Sequence, residues 1–129
     1  MNIFKIKKKI YYHDTDWSGV VYYANYLKFF EEARAEHLRS KGIDLKRLAE
    51  EEGTLFAVAE ADIKYKSPAR YGDEISVSSV VEKIKTASIY FYQEIKKGDL
   101  LLTECRLRLV CINKNFKPVT IPKRITDIM

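Results

Sequence analysis

Two cysteines, two histidines and five scattered glycines are all that this 129-residue chain holds of those types, and each shortage excludes a class of chemistry. Cys105 and Cys111 stand in one strand-like stretch. Six strand residues span roughly 20 Å, whereas a disulfide needs Cα atoms within about 7 Å. The pair is read as two reduced packing residues. Metal-ligand spacings such as Cys-x-x-Cys or His-Glu-x-x-His are missing, so no metal is expected. There is no Gly-x-Ser-x-Gly elbow, and two histidines leave little room for a nucleophilic triad. The glycines stand singly and form no phosphate loop. No apolar run approaches the roughly 20 residues of a membrane span, and lysines occupy the place where a secretory leader needs an apolar core. The expectation is a cytoplasmic protein without stable membrane insertion.

What is present describes one folded domain over residues 1–129. A hydrophobic content of 47% with 32% charged residues is a globular profile, and no linker, low-complexity tract or internal repeat divides it. Part of the formal charge of +5 comes from Lys5, Lys7, Lys8 and Lys9, which read as the solvated face of a strand rather than as a nucleic-acid surface. Abundant Lys and Glu beside a single glutamine, Gln93, fit a heat-adapted source.

The hydrophobic period changes along the chain. Residues 2–11 alternate and predict a strand. Residues 12–24 form a loop. From Asn25 to Lys41 the apolar residues recur at helical spacing through Tyr26, Phe30, Ala33 and His37, with Asn25 as the cap and Lys41-Gly42 as the stop. A short helical turn is expected at 45–51. Residues 54–66, 74–84, 87–96 and 100–112 read as strands, the first with Ala57, Ala59, Ala61, Ile63 and Tyr65 on one face. Turns separate them at 67–73, 97–99 and 113–117, and 121–128 reads as a closing helix. One long helix among antiparallel strands must bury its stripe against the sheet, which is an α+β arrangement.

Within the loop, Asp16 lies three residues before Gly19, and the chain then enters the long helix. The first turn of a helix presents unpartnered N–H groups and a partial positive charge. Such an end can hold a developing oxyanion while a nearby carboxylate attacks or activates water. Asp16 is therefore read either as a turn-capping carboxylate or as a catalytic one, ionised at neutral pH. Asp14 is its structural partner within the loop. Gly19 serves backbone geometry, through a positive φ or close approach to a ligand.

Tyr12, Asp14-Thr15-Asp16, Gly19-Val20-Val21-Tyr22 and Asn25-Tyr26, followed by Glu31, Ala33, Arg34 and Glu36, resemble the signature of 4-hydroxybenzoyl-CoA thioesterase-type enzymes, most nearly their YbgC-like acyl-CoA thioesterase subgroup. Pro68-Ala69 with Tyr71-Gly72-Asp73 resembles the same family's second recurring segment. The resemblance implies a hotdog fold, a five-stranded, mainly antiparallel curved sheet wrapped around one long central helix. It also implies hydrolysis of a coenzyme A thioester with no cofactor, by a homo-oligomer (a dimer or a dimer of dimers) whose site lies between subunits. The family's catalytic aspartate matches Asp16, and the backbone N–H that polarises the thioester carbonyl matches Tyr23. The YbgC-like subgroup usually has a histidine there, so no side-chain role passes to Tyr23; the backbone role does. A hotdog dehydratase would need that histidine, and a non-catalytic acyl-CoA or lipid-binding module could dispense with Asp16.

Other candidates follow from position. Tyr22, Tyr23, Tyr26 and Phe29 are read as lining an acyl pocket or as core and subunit contacts, with Phe29 falling off the main stripe. His37 is a core histidine, and His13 is placed to modulate the loop. Lys64, Lys66 and Arg70, with Arg70 slightly ahead, are read either as contacts for the phosphates of coenzyme A or as solvated surface, and Ser67 is a candidate for its pantetheine arm.

Overall fold

The computed structural model describes residues 3–129, and residue 2, where the first strand was expected to begin, lies outside them. The elements run β1 (Phe4–Lys9), a 3-10 turn (Tyr12–Asp14), α1 (Asn25–Ser40), α2 (Leu45–Glu52), β2 (Leu55–Tyr65), β3 (Glu74–Ile84), β4 (Ser88–Lys97), β5 (Leu100–Ile112) and α3 (Lys123–Thr126). The five strands form one sheet in the order β1-β3-β4-β5-β2, every neighbouring pair antiparallel. This is the hotdog arrangement that the residues of the first third suggested.

The sheet's inner face supplies Ile75 and Val77 from β3, Ile89, Phe91 and Ile95 from β4, and Cys105, Leu107, Leu109 and Cys111 from β5, all buried. Onto it α1 places Tyr26, Phe29, Phe30, Ala33 and Leu38. Both cysteines are free and buried, as their spacing required. Phe30 is fully buried at the centre of this layer. Truncating such an aromatic removes its transfer energy and leaves a cavity, so Phe30→Ala is expected to destabilise the fold by about 3–5 kcal/mol, read as a lower chemical-denaturation midpoint.

His37 behaves as a core residue. Its Nδ1 lies 2.9 Å from Ser79 Oγ, its ring stacks on Phe4, and burial holds its pKa below the ordinary histidine value. Phe29 is also core, buried against Tyr26 beneath the Lys8 ammonium. Its departure from the main stripe means only that the helix buries a wide face.

Three local expectations need correction. Asn25 does not cap α1. The cap position is Ala24, with no side-chain hydrogen bond, and the Asn25 amide instead reaches back to Asp14 O at 2.8 Å. The closing helix is confined to Lys123–Thr126 behind Pro122, whose fixed φ sets its start. In β2 a bulge falls at Ala59, between the pairs Val58↔Leu109 and Glu60↔Arg108. The extra residue shifts the side-chain parity, so Phe56 and Val58 join Ala61, Ile63 and Tyr65 on the inner face while Ala57 points outward. α2 agrees with its expected range to within one residue and is capped by Asp44, which accepts from the Lys46 and Arg47 amides.

Candidate active site

The chain from Thr15 to Val21 folds into a tight hairpin, closed by the bridge Thr15↔Val21. The Asp16 N–H donates to Val20 O at 2.9 Å, and the Gly19 N–H returns to Asp16 O at 3.0 Å. This pattern is a β-turn followed by a left-handed residue, which only glycine enters without strain. Gly19 has φ +86°, the first of the two backbone roles the sequence offered it. At the tip, Trp17 is 96% exposed. The hairpin's second arm pairs with the chain after Pro68, through Val20↔Arg70 and Val21 N–H to Ala69 O at 2.8 Å.

Asp16 thus sits on a rigid turn with its carboxylate at the surface. Oδ1 accepts the Ser18 N–H at 2.8 Å and the Ser18 hydroxyl. Hydrogen bonds to the anion stabilise it, so the Ser18 hydroxyl, followed by the Ser18 amide, holds the Asp16 pKa below its ordinary value. The group is an anion at neutral pH. Asp14 has the different task expected of it. It is buried, its Oδ2 accepts the Tyr11 N–H at 2.9 Å, and its carbonyl accepts the Tyr22 N–H at 3.1 Å and the Asn25 side chain. These contacts tie the loop to the start of α1. His13 stacks on Tyr11 with Nδ1 3.5 Å from Asp14 Oδ1.

The helix entrance holds the second chemical feature. The Asn25, Tyr26 and Leu27 amides donate to Tyr22, Tyr23 and Ala24 carbonyls, in short three-residue steps. Among the described residues, no acceptor takes the N–H of Tyr23 or of Ala24. Two consecutive unpartnered donors therefore stand at the positive end of a 16-residue helix.

Beside them lies a cleft of about 240 Å³ walled by Tyr23, Tyr26 and Ser67, with Val21, Tyr65, Lys66 and Pro68 completing it. Tyr26 contributes its ring. It is buried and its hydroxyl is already engaged, accepting the Ala69 N–H at 3.0 Å. Of the site residues named from sequence, Asp16, Gly19, Tyr22 and Arg70 lie outside the lining of this cleft within one chain. Tyr22 is exposed with its ring against Tyr23. Arg70 is exposed too, and the neighbouring Asp73 carboxylate is paired with Lys97 at 2.8 Å. Lys64 points to the outer face opposite Glu104. Tyr65 is the residue that sequence reasoning passed over. Its hydroxyl donates to Tyr23 O at 3.3 Å across 42 residues of sequence, fixing the Tyr23–Ala24 peptide whose N–H is one of the two free donors. Only its inward parity at the end of β2 hinted at that place.

The sequence profile of the Thioesterase-like superfamily matches residues 11–128. Acyl-CoA thioesterase YbgC of Haemophilus influenzae is 37% identical over 125 residues, 96% of this chain and 92% of that protein. The crystal structure of a probable thioesterase from Bartonella henselae superposes with a TM-score of 0.89 at 30% identity, covering 94% of this chain and all of the other. That of 4-hydroxybenzoyl CoA thioesterase from Pseudomonas sp. strain CBS-3 superposes with a TM-score of 0.91 at 14% identity, covering both chains fully, a likeness of fold alone. On these matches and the fold they share, the chain belongs to the thioesterase-like superfamily and is a thioester hydrolase.

Proposed function

We propose that this protein hydrolyses an acyl-CoA thioester at the mouth of α1, with Asp16 as the catalytic carboxylate and the Tyr23 amide as the oxyanion donor. The observation that carries this reading is the pairing, on one short loop, of an exposed anion with a free helix-entrance amide. The thioester oxygen takes the Tyr23 N–H, and the carbonyl carbon becomes more electrophilic as its oxygen gains negative charge. The Ala24 N–H is a second donor at the same end. Asp16 then acts in one of two ways. It adds to the carbonyl carbon, expelling the CoA thiolate and leaving a mixed anhydride that water cleaves. Alternatively, it takes a proton from water as that water adds to the carbonyl carbon, and the tetrahedral intermediate collapses by breaking its C–S bond and releasing the CoA thiolate, which regains a proton. The relatives named for acyl-CoA thioesterase activity support the carrier assignment.

The cleft supplies binding. Ser67 lies along it for the pantetheine arm and Lys66 for a phosphate, with the Tyr26 ring as a wall. Gly19, Tyr22 and Arg70 surround the hairpin, Gly19 for close approach and Arg70 for phosphate. The cleft opens to the surface, and among the described residues the outer edge of β2 pairs with no strand. A long unpaired edge is a template for another chain, which supports a dimer, or a dimer of dimers, closing the site.

The assignment is tested by incubating the purified protein with short, long and aromatic acyl-CoAs and following thiol release. Tight acyl-CoA binding with no thiol release under any condition would instead favour a non-catalytic binding module. The Asp16 environment adds a pH prediction. Its pKa is depressed, so the reactive anion persists as pH falls, and the acid limb of kcat/KM belongs below the ordinary aspartate value of 3.8. Ser18→Ala removes the largest cause of that depression and is expected to move the limb upward. A pH–rate profile of both proteins, over the range where each stays folded, measures it.

A further inference from the structure

On the outer face of the sheet, away from the helix entrance, two lysines share one aromatic ring. In β4, Tyr90 and Tyr92 alternate with the buried Ile89 and Phe91, so their rings stand on the convex side. In β3 the register shifts between Val81↔Phe91 and Lys83↔Tyr90, which leaves Glu82 as an extra residue. Such a bulge carries the residues after it to the other face. Without it Lys83 would turn inward with Val81. With it Lys83 stands directly opposite Tyr90, and Lys85, just past the strand, follows on the same side. Lys83 Nζ lies 5.4 Å and Lys85 Nζ 5.7 Å from the Tyr90 ring centroid. An aromatic face attracts a cation, and here it gathers two that repel each other.

No carboxylate relieves that repulsion. Glu82 is turned to Arg106, 3.5 Å away. From β5, Arg108 stands opposite Tyr90 and is held by Glu60 of β2 at 2.8 Å. Asp62 of β2 lies opposite Arg106. Among the described residues neither Lys83 nor Lys85 has an ion-pair partner, and both are exposed. The Lys85 charge beside it holds the Lys83 pKa below the ordinary lysine value. A larger share of Lys83 than of an ordinary lysine is therefore free amine at neutral and mildly alkaline pH. A lysine next to a second cation is one form of activated nucleophile.

We propose that Lys83 is a modification site, acylated by acyl-CoA thioesters in preference to solitary surface lysines of this chain. The Nζ lone pair adds to the thioester carbonyl carbon and forms the C–N bond. The tetrahedral intermediate collapses by breaking its C–S bond, the CoA thiolate leaves, and the proton lost from nitrogen ends on the thiol. The product is an uncharged amide. With the charge of Lys83 gone, nothing activates Lys85, and the reaction stops at one acyl group per pair. This goes beyond thioester hydrolysis, because acyl-CoA enters only as a reagent and neither Asp16 nor the α1 entrance takes part.

The test is incubation of the full-length protein with excess acetyl-CoA at mildly alkaline pH, followed by chymotryptic digestion and mass spectrometry. Label at Lys83 is compared with label at Lys46 and Lys117, which are exposed. All three compete within one molecule, so hydrolysis of the reagent lowers each alike and cancels in the ratio. Lys83 is expected to be acetylated at least severalfold faster than either reference, and Lys85 no faster than they are. Lys85→Met removes the neighbouring charge and is expected to bring Lys83 down to the reference rate, whereas Lys85→Arg keeps the charge and the lead. Lys83 labelled no faster than Lys46 and Lys117 overturns the proposal. So does a Lys85→Met protein in which Lys83 keeps its full lead, or label that enters Lys85 first.

Discussion

Asp16→Ala is expected to lower kcat for acyl-CoA hydrolysis by about a thousandfold or more, within the range lost when a catalytic carboxylate is removed, with KM little altered. The fold is expected to survive, because the carboxylate is exposed and its partners are the amide and hydroxyl of Ser18 within the same turn. The hairpin itself is closed by backbone bonds and by Gly19. Asp14→Ala provides the contrast. Asp14 is buried and holds the Tyr11 amide, so its loss destabilises the protein as well as the activity. Steady-state rates with thermal melts for both variants separate the two acids. Asp16→Ala turning over like the wild type removes Asp16 from the chemistry.

The second large effect concerns a main-chain atom. Proline has no N–H, so Tyr23→Pro deletes the amide assigned to the thioester oxygen. Losing one oxyanion donor costs about a hundred- to a thousandfold in kcat, and that is the loss expected here. Tyr23→Ala keeps the amide and is expected to retain kcat within several-fold. The contrast is informative because the Tyr23 side chain is exposed, and the subgroup's usual histidine is absent at this position. If the alanine variant is as inactive as the proline variant, the side chain carries the function and the backbone assignment fails. Circular dichroism of both proteins checks that α1 is intact.

What could be read directly from the chain was local. Gly19 offered a positive φ as one of two backbone roles, the Asp16–Gly19 spacing suggested a turn, and a change of period from two to 3.6 marked the entry to α1. All concern residues close in sequence. The misreadings depended on distant partners. The β2 parity was misassigned because the bulge at Ala59 is set by how β2 pairs with β5, and nothing in the alanine-rich stretch marks it. Asn25 is a good capping residue by type, but the Asp14 carbonyl competes for its side chain once the loop closes. Tyr65 reaches Tyr23 only because the end of β2 passes the helix entrance. Arg34 meets Gln93, 59 residues away, only because α1 lies across β4. Sequence periodicity shows which residues face inward, and sheet register decides what they meet there.

The proposed mechanism needs an acid and an amide acting on one carbonyl group, and the structure of the protein bound to a non-hydrolysable acyl-CoA analogue tests it most directly. The carbonyl oxygen, or its mimic, is expected about 3 Å from the Tyr23 nitrogen, with the Asp16 carboxylate on the far side of the same carbon, in reach of it directly or through one water. An analogue seated with its carbonyl away from the α1 entrance, or with Asp16 turned from it toward solvent, would contradict the mechanism.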